Sequence, residues 1–356
     1  MRWFAYLLLA GCGALLRAHD PGLSSVRLAR STDTLVVHAA FANADFAAAT
    51  AVDANRDGAI DGQELSAAAD GLLSLLAADF VLHGRNGARR ADQLSAALAA
   101  NNDVELTFVF GDADVLLGGR LEVSFLQRLS RGHRCYAAAL AAGETVLVDA
   151  LLTVREHDFQ LPDQWEGITA DSGFGQGTRF FVLGVEHILI GFDHLAFLLA
   201  LLVAGGGLRK ALATITAFTA AHSLTLAAAA LGVVRLPALS VEIAIAGSIV
   251  WVAIENLVRR GRSARHRWPV AFAFGLVHGF GFANVLADLH VGGADMLTPL
   301  LTFNLGVEVG QVAFAALVVP LVALAARRQG ARWMPTAVSI AIGLAGLFWV
   351  WQRTLG

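Results

Sequence analysis

The chain lacks the means to make an internal disulfide. It has two cysteines, Cys12 and Cys135, and Cys12 falls in a leading segment that reads as removable. One thiol then remains, so no intramolecular bridge can stabilise the mature domain. Charge is scarce as well. Charged residues make up 15% of the 356 residues while hydrophobic residues reach 56%, against about 25% charged in an ordinary soluble domain. That balance excludes a typical soluble enzyme and points to a membrane protein. Positive charge is not in surplus either: the formal net charge is −3, and nothing in it points to nucleic acid as a partner.

What is present is unevenly distributed. Residues up to about 175 mix polar and apolar types, whereas from Phe180 onward the chain is a series of long apolar runs. The expected organisation is a signal peptide over 1–18, an exported domain over 19–175 and a membrane domain over 180–352. The leader "MRWFAYLLLAGCGALLRA" has Arg2, an apolar run and the small residue Ala18, after which cleavage would leave His19. Two other readings stay open: acylation of Cys12 in "LAGC", and a retained anchor helix. All three export the domain that follows.

In that domain "TLVVHAAF", "VELTFVFG", "GRLEVSFL" and "ETVLVDALLTV" alternate or are rich in β-formers and read as strands of a sandwich-like fold. Between the first two lies "DANRDGAIDGQE". It matches the twelve-residue EF-hand loop, with Asp53, Asn55, Asp57, Ala59, Asp61 and Glu64 at the ligand positions, Gly58 at the sharp turn and Ile60 at the apolar eighth position. A Ca2+ ion is the expected cofactor there, held structurally. The alternative is a polar turn that binds nothing. An apolar helix, "ELSAAADGLLSLLAADF", is expected next.

A bilayer-crossing helix needs about 20 apolar residues. Six such spans are expected, over 180–204, 210–232, 237–258, 268–289, 298–326 and 333–352. With the first domain outside, the inner connections carry Arg209 and Lys210, then "RRGRSARHR", then Arg327, Arg328 and Arg332. The outer ones carry only Arg235 and the Lys- and Arg-free "ADLHVGGADM". This is the charge bias of a multi-pass protein of the bacterial inner membrane with its N-terminal domain and C-terminus in the periplasm. The fold class is therefore an all-α membrane bundle of six helices preceded by an exported β-rich (α+β) domain with one EF-hand-like loop.

Ionisable groups inside hydrocarbon are expensive and mark function. At 1.5 Å per helical residue, His194, His222, His278 and Glu308 fall near the middle of four helices, with Ser248 at similar depth on a fifth. His187, Glu242 and Asn304 lie about two turns nearer the outside, and Glu255 and Asn256 near the inner face. Imidazoles with carboxylates suit a transition metal, Ni2+ or Zn2+ among the candidates. The expected metal residues are His187, Asp193, His194, His222, His278 and Glu308, with Glu242, Ser223, Asn304 and Gln311 as supporting or pathway groups. His187 and His194, seven apart, would sit about 10 Å apart on a straight helix, so they are assigned to an outer and a midplane site. Lone buried histidines, hydroxyls and glycines are often packing residues, and that alternative stays open for each.

"GVEHILIGFDHLAFLLALL", "AAHSLTLAAAALG", "VEIAIAGSIVWVAIEN", "FGLVHGFGFA" and "FNLGVEVGQ" together resemble the HupE/UreJ family, specifically its longer branch with an exported domain. That resemblance implies nickel uptake for hydrogenase and urease maturation. It also implies a metal-related helix motif of the type H-P-x-x-G-x-D-H. Here "HILIGFDH" keeps His187, Gly191, Asp193 and His194, without the proline. Three readings follow. The first is a metal permease. The second is an intramembrane zinc hydrolase in which Asp193, Glu308 and Ser248 would be the catalytic candidates. The third is a structural or assembly protein. The expected partners are the lipid bilayer and metal ions; no protein partner can be named from the sequence.

Overall fold

The computed structural model describes residues 22–355 except 32, 100–101, 113–115, 131, 142–145, 166–172, 204–206, 232, 235, 237, 260–266, 282–296 and 328–332. The expected leader, Cys12, Arg235, most of the basic loop after Arg259 and the "ADLHVGGADM" connection lie outside these residues. The chain divides into a β-rich unit, chiefly Pro21–Arg179, and a helical unit built from Phe180–Asn284 and Pro299–Gly356.

Among the described residues the β-rich unit contains two sheets. One has six strands in the order β5-β6-β2-β1-β8-β9: Leu23–Arg30 (β1), Thr34–Phe41 (β2), Gln93–Leu98 (β5), Val104–Gly111 (β6), Arg134–Leu140 (β8) and Val146–Thr153 (β9). All its pairs are antiparallel except β1 with β8. The other runs β10-β7-β3-β4: Phe80–Gly84 (β3), Gly87–Arg89 (β4), Arg120–Val123 (β7) and Asp158–Gln160 (β10). Alternation explains the burial. In β2, Leu35, Val37, Ala39 and Phe41 point inward, and in β6 Val104, Leu106, Phe108 and Phe110 do the same. The sheets share one core, joined where Phe80 of β3 stacks on Phe108 of β6 with ring centroids 4.3 Å apart.

Strands β2, β6 and β9 match the sequence expectation. The Ala-rich β5 and β8 carry too little β-branched character to be seen in advance. The helix expected over 64–80 is two helices, Gly62–Ala67 (α2) and Ala69–Asp79 (α3), and its last residue, Phe80, begins β3. A first short helix, Asn43–Ala49 (α1), precedes the polar loop.

The helical unit contains Gly173–Ile190 (α4, which starts in the first unit), Phe192–Val203 (α5), Leu208–Ala230 (α6), Ala238–Val258 (α7), Trp268–His278 (α8), Leu297–Ala326 (α9) and Met334–Leu355 (α10). Among the described residues, α6, α7, α9 and α10 are each long and apolar enough to cross a bilayer. The pair α4 and α5 passes the same test together but bends by 68° at Gly191. The span expected over 268–289 is described only as α8, eleven residues long. So four helices, or five with the bent pair, meet the criterion where six were expected. Large side chains face outward along them, Trp251, Leu301 and Leu344 each more than 60% exposed. In water that surface would cost about 25 cal/mol per Å²; against lipid tails it costs nothing. This is a membrane protein.

Helix α6 packs along α8, and α7 along α10. Glycine sets the first approach: a Cβ on Gly279 would lie 2.4 Å from the His222 carbonyl oxygen, and one on Gly275 would lie 2.6 Å from that of Phe218. No larger residue permits that separation. It carries His278 and His222 toward each other.

Candidate metal centre

The bend at Gly191 creates the site. Helix α4 ends one residue before it and α5 begins one residue after. His187 therefore occupies the last turn of one helix and His194 the first turn of the next. Their ring centroids are 4.5 Å apart. This corrects the straight-helix expectation of two separate sites. A Cβ on Gly191 would lie 2.6 Å from the His187 carbonyl oxygen, so the turn demands glycine.

His187, His194 and His222 each offer a ligand nitrogen, and these atoms all lie within 4.8 Å of one another. Nitrogens about 2.0–2.1 Å from one tetrahedral ion sit roughly 3.3–3.4 Å apart, so the set would contract modestly on a cation. All three side chains are buried, as is His278, whose ring lies 5.1 Å from that of His194. Phe197 and Phe218 pack on the imidazoles, with centroids 4.8 Å (Phe197–His278) and 5.3 Å (Phe218–His278) apart. A narrow cavity adjoins His194, lined in part by Phe197, Thr214, Phe218 and Gln311.

The hydrogen-bond network assigns the tautomers. Asp193 Oδ1 accepts from the His194 backbone N–H at 2.8 Å and faces His194 Nδ1 at 3.0 Å. An ionised carboxylate can only accept, so Nδ1 carries a proton, and in the neutral ring Nε2 is the lone-pair nitrogen. Asn304 donates its amide to the Leu300 carbonyl at 2.8 Å, which turns its Oδ1 to His222 Nδ1 at 3.3 Å. His222 is thus also protonated at Nδ1. Ser248 spends its hydroxyl proton on the Ile245 carbonyl at 2.6 Å, so His278 Nε2, 2.9 Å away, must donate to it. The remaining nitrogens, His222 Nε2 and His278 Nδ1, are buried and hydrogen-bond to no described residue. Imidazoles oriented from behind by a carboxylate, an amide and a hydroxyl fit a borderline transition-metal ion, which binds them in their neutral form.

Other expected residues lie elsewhere. Glu308 accepts from Thr216 Oγ1 at 2.8 Å and is not part of the imidazole group. Gln311 accepts from Thr219 at 3.1 Å, and Ser223 bonds back to the Thr219 carbonyl of its own helix. Asn304, expected in an outer layer, touches His222, so His187 and Asn304 of that layer join His194, His222 and His278 in one cluster. Asn256 donates to the Ala200 carbonyl at 2.8 Å, and Arg267 donates to Ala200 and Leu201; together they cap the C-terminal end of α5. Glu255 pairs with Arg259 at 3.1 Å. One residue was missed. Arg353, just past the last expected span, reaches Asp193 Oδ2 at 3.4 Å and Glu242 Oε2 at 3.5 Å, and donates to the Glu242 carbonyl at 2.8 Å. An arginine at the end of an apolar span, in a chain whose other spans carry Asp193 and Glu242, was the available signal.

In the β-rich unit the loop Asp53–Glu64 closes on its own acids. Glu64 Oε1 accepts from the Ala54 and Asn55 N–H groups, Asp53 Oδ2 from Gly58 N at 3.0 Å, and Asn55 Oδ1 from Asp57 N at 2.7 Å. Asp61 caps α2 in a reciprocal pair with Glu64. Gly58 takes φ +86°, and Arg56, at +61°, shares the left-handed region. Asn43 of α1 clamps the loop, accepting from Ile60 N at 2.6 Å and donating to Ile60 O at 2.8 Å.

Buried imidazoles gathered among apolar helices define a polytopic membrane protein with a candidate transition-metal centre. The chain belongs to the HupE / UreJ protein family, whose model matches residues 165–353. That match spans α4 through nearly all of α10, and with it the whole imidazole cluster. Membership brings a coarse metal-handling reading, nickel and cobalt being the metals associated with the family. A comparison with curated proteins found no match.

Proposed function

We propose that the helical unit binds a divalent transition-metal ion of the Ni2+, Co2+ or Zn2+ type as cargo and passes it across the bacterial inner membrane. The observation that supports this most is the convergence of His187, His194 and His222. Three imidazoles in their neutral form would hold such an ion without the extra anionic ligands that make release slow, and a permease needs exchangeable sites. The hydrolase alternative is weaker. Of its candidate bases, Asp193 is engaged by His194 and Arg353, and Glu308 by Thr216. We place the β-rich unit and the C-terminus in the periplasm, in accord with the basic connections on the opposite side.

Purified protein should carry transition metal that dialysis against EDTA removes, and cells should accumulate radiolabelled Ni2+ or Co2+ through it. His194→Ala should abolish both. Uptake that is the same with and without His194 would count decisively against transport, and stoichiometric metal that resists EDTA would favour the hydrolase.

We also propose a structural Ca2+ ion in the Asp53–Glu64 loop, held by Asp53, Asn55, Asp57, the Ala59 carbonyl, Asp61 and Glu64. The Asn43 clamp supports this reading. A paired EF-hand bonds the backbone of its eighth residue to a second loop, and here one carboxamide supplies both of those bonds to Ile60.

A further inference from the structure

Arg353 stands between two carboxylates of different exposure. Asp193 is buried, and its Oδ2 faces Arg353 Nη2 at 3.4 Å. Glu242 is about half exposed, and its Oε2 faces Arg353 Nε at 3.5 Å. Asp193 is also the residue that holds His194 Nδ1. One guanidinium is therefore tied, through one carboxylate, to a nitrogen of the imidazole cluster and, through another, to the edge of the bundle.

Charge decides what this arrangement does. Asp193 is an acid hydrogen-bonded to the cluster through His194, and Arg353 already pairs with the same carboxylate. A divalent ion arriving at the cluster would find the Asp193 carboxylate already paired and would be repelled by the guanidinium across a medium of low dielectric. Asp193 strengthens His194 as a donor only as far as its own charge is unscreened. Glu242 gives Arg353 an alternative partner without leaving the helix pair α7 and α10.

We infer that Arg353 is an internal counter-cation that competes with the cargo ion for Asp193 and shifts toward Glu242 when the imidazole site is loaded. This rests on the metal-binding reading above. It makes Arg353 a positioning residue that keeps the site weak enough to release its ion, and makes α10 the element that senses occupancy.

The test is equilibrium binding of Ni2+ or Zn2+ to the full-length protein in detergent, by competition with a metallochromic indicator. Arg353→Gln should bind about tenfold or more tightly than wild type, and Arg353→Lys close to wild type. Glu242→Gln should bind severalfold more weakly, because Arg353 then loses the second carboxylate that draws it from Asp193. In the double variant Arg353→Gln/Glu242→Gln the Glu242 effect should vanish. A merely structural arginine would not give opposite signs at the two positions. Unchanged or weaker binding by Arg353→Gln, or a Glu242 effect that persists without Arg353, overturns the proposal while wild-type binding stands. Should Arg353→Gln fail to fold, wild-type affinity in Glu242→Gln overturns it instead. Absence of metal binding by wild type, equal to His194→Ala, defeats the metal reading and this proposal with it.

Discussion

His187 and His194 lie seven residues apart in the chain, in different helices, with ring centroids 4.5 Å apart. The 68° bend at Gly191 is what closes that distance. A straight helix would hold the two rings about 10 Å apart along its axis. The candidate centre therefore depends on one residue that contributes no side chain to it.

Gly191→Ala is expected to damage the centre more than the fold. The added Cβ would lie 2.6 Å from the His187 carbonyl oxygen and 3.1 Å from His194 Nδ1. The backbone must shift and the two rings must splay. Transition-metal affinity should fall by about 10-fold or more, in the range that loss of a supporting group costs. Indicator competition on the purified variant reads this directly, and an affinity equal to wild type would show that the bend does not set the ligand geometry.

Asn304→Leu tests the tautomer assignment. Leucine keeps the volume and removes the acceptor that holds His222 Nδ1–H. Metal affinity should drop about 10–100-fold, with the thermal midpoint little altered. If stability collapses and affinity in the surviving protein does not, Asn304 acts in packing and not on the ring.

Calcium should stabilise the full-length protein against heat. Extracellular single sites bind at about 10⁻⁴–10⁻³ M, so 10 mM Ca2+ should add about 1.4–2.7 kcal/mol by mass action. Asp53→Asn should lose most of this increment, and Asn43→Ala part of it, since the Ile60 clamp goes. A melting curve that ignores Ca2+ in wild type would dispose of the calcium assignment and leave the imidazole site untouched.

Cys135 should resist alkylation in the folded protein and react on unfolding. Its thiol is fully buried in the β-rich core, and burial pushes its pKa up to about 12 from 9.0, a contact with Ser24 opposing. The sign follows. The folded state holds the proton more tightly than the unfolded chain, so this contribution to stability is complete below pH 9 and is lost as pH rises toward about 12. Cys135→Ala should flatten that alkaline decline in a urea-unfolding series, and an unchanged slope would rule out the thiol as its source.

The sequence made much of this protein legible. Alternation located β2 and β6 because one face of each strand is buried. Apolar run length marked α6, α7, α9 and α10 because backbone polar groups in lipid must bond within their own helix. The short motifs also carried the family membership later shown over residues 165–353. Strands β5 and β8 were not legible, since their alanines pair through backbone bonds and pack in a shared core without a strong local preference.

The candidate site divides in the same way. Residue type and approximate depth picked out His187, His194, His222 and His278, because imidazoles are costly among so many apolar neighbours and stand out in any reading. Helix depth alone, however, grouped Glu308 with them and set His187 and Asn304 apart. Tertiary structure decided otherwise for physical reasons that periodicity does not encode. Gly191 lets one apolar run become two helices at 68°, Gly275 and Gly279 let α6 and α8 touch backbone to backbone, and the return of α10 brings Arg353 to Asp193 across 160 positions of the chain. The sequence determined which chemistry enters the membrane; bends and close approaches, set by contacts distant in sequence, decided which of those groups meet.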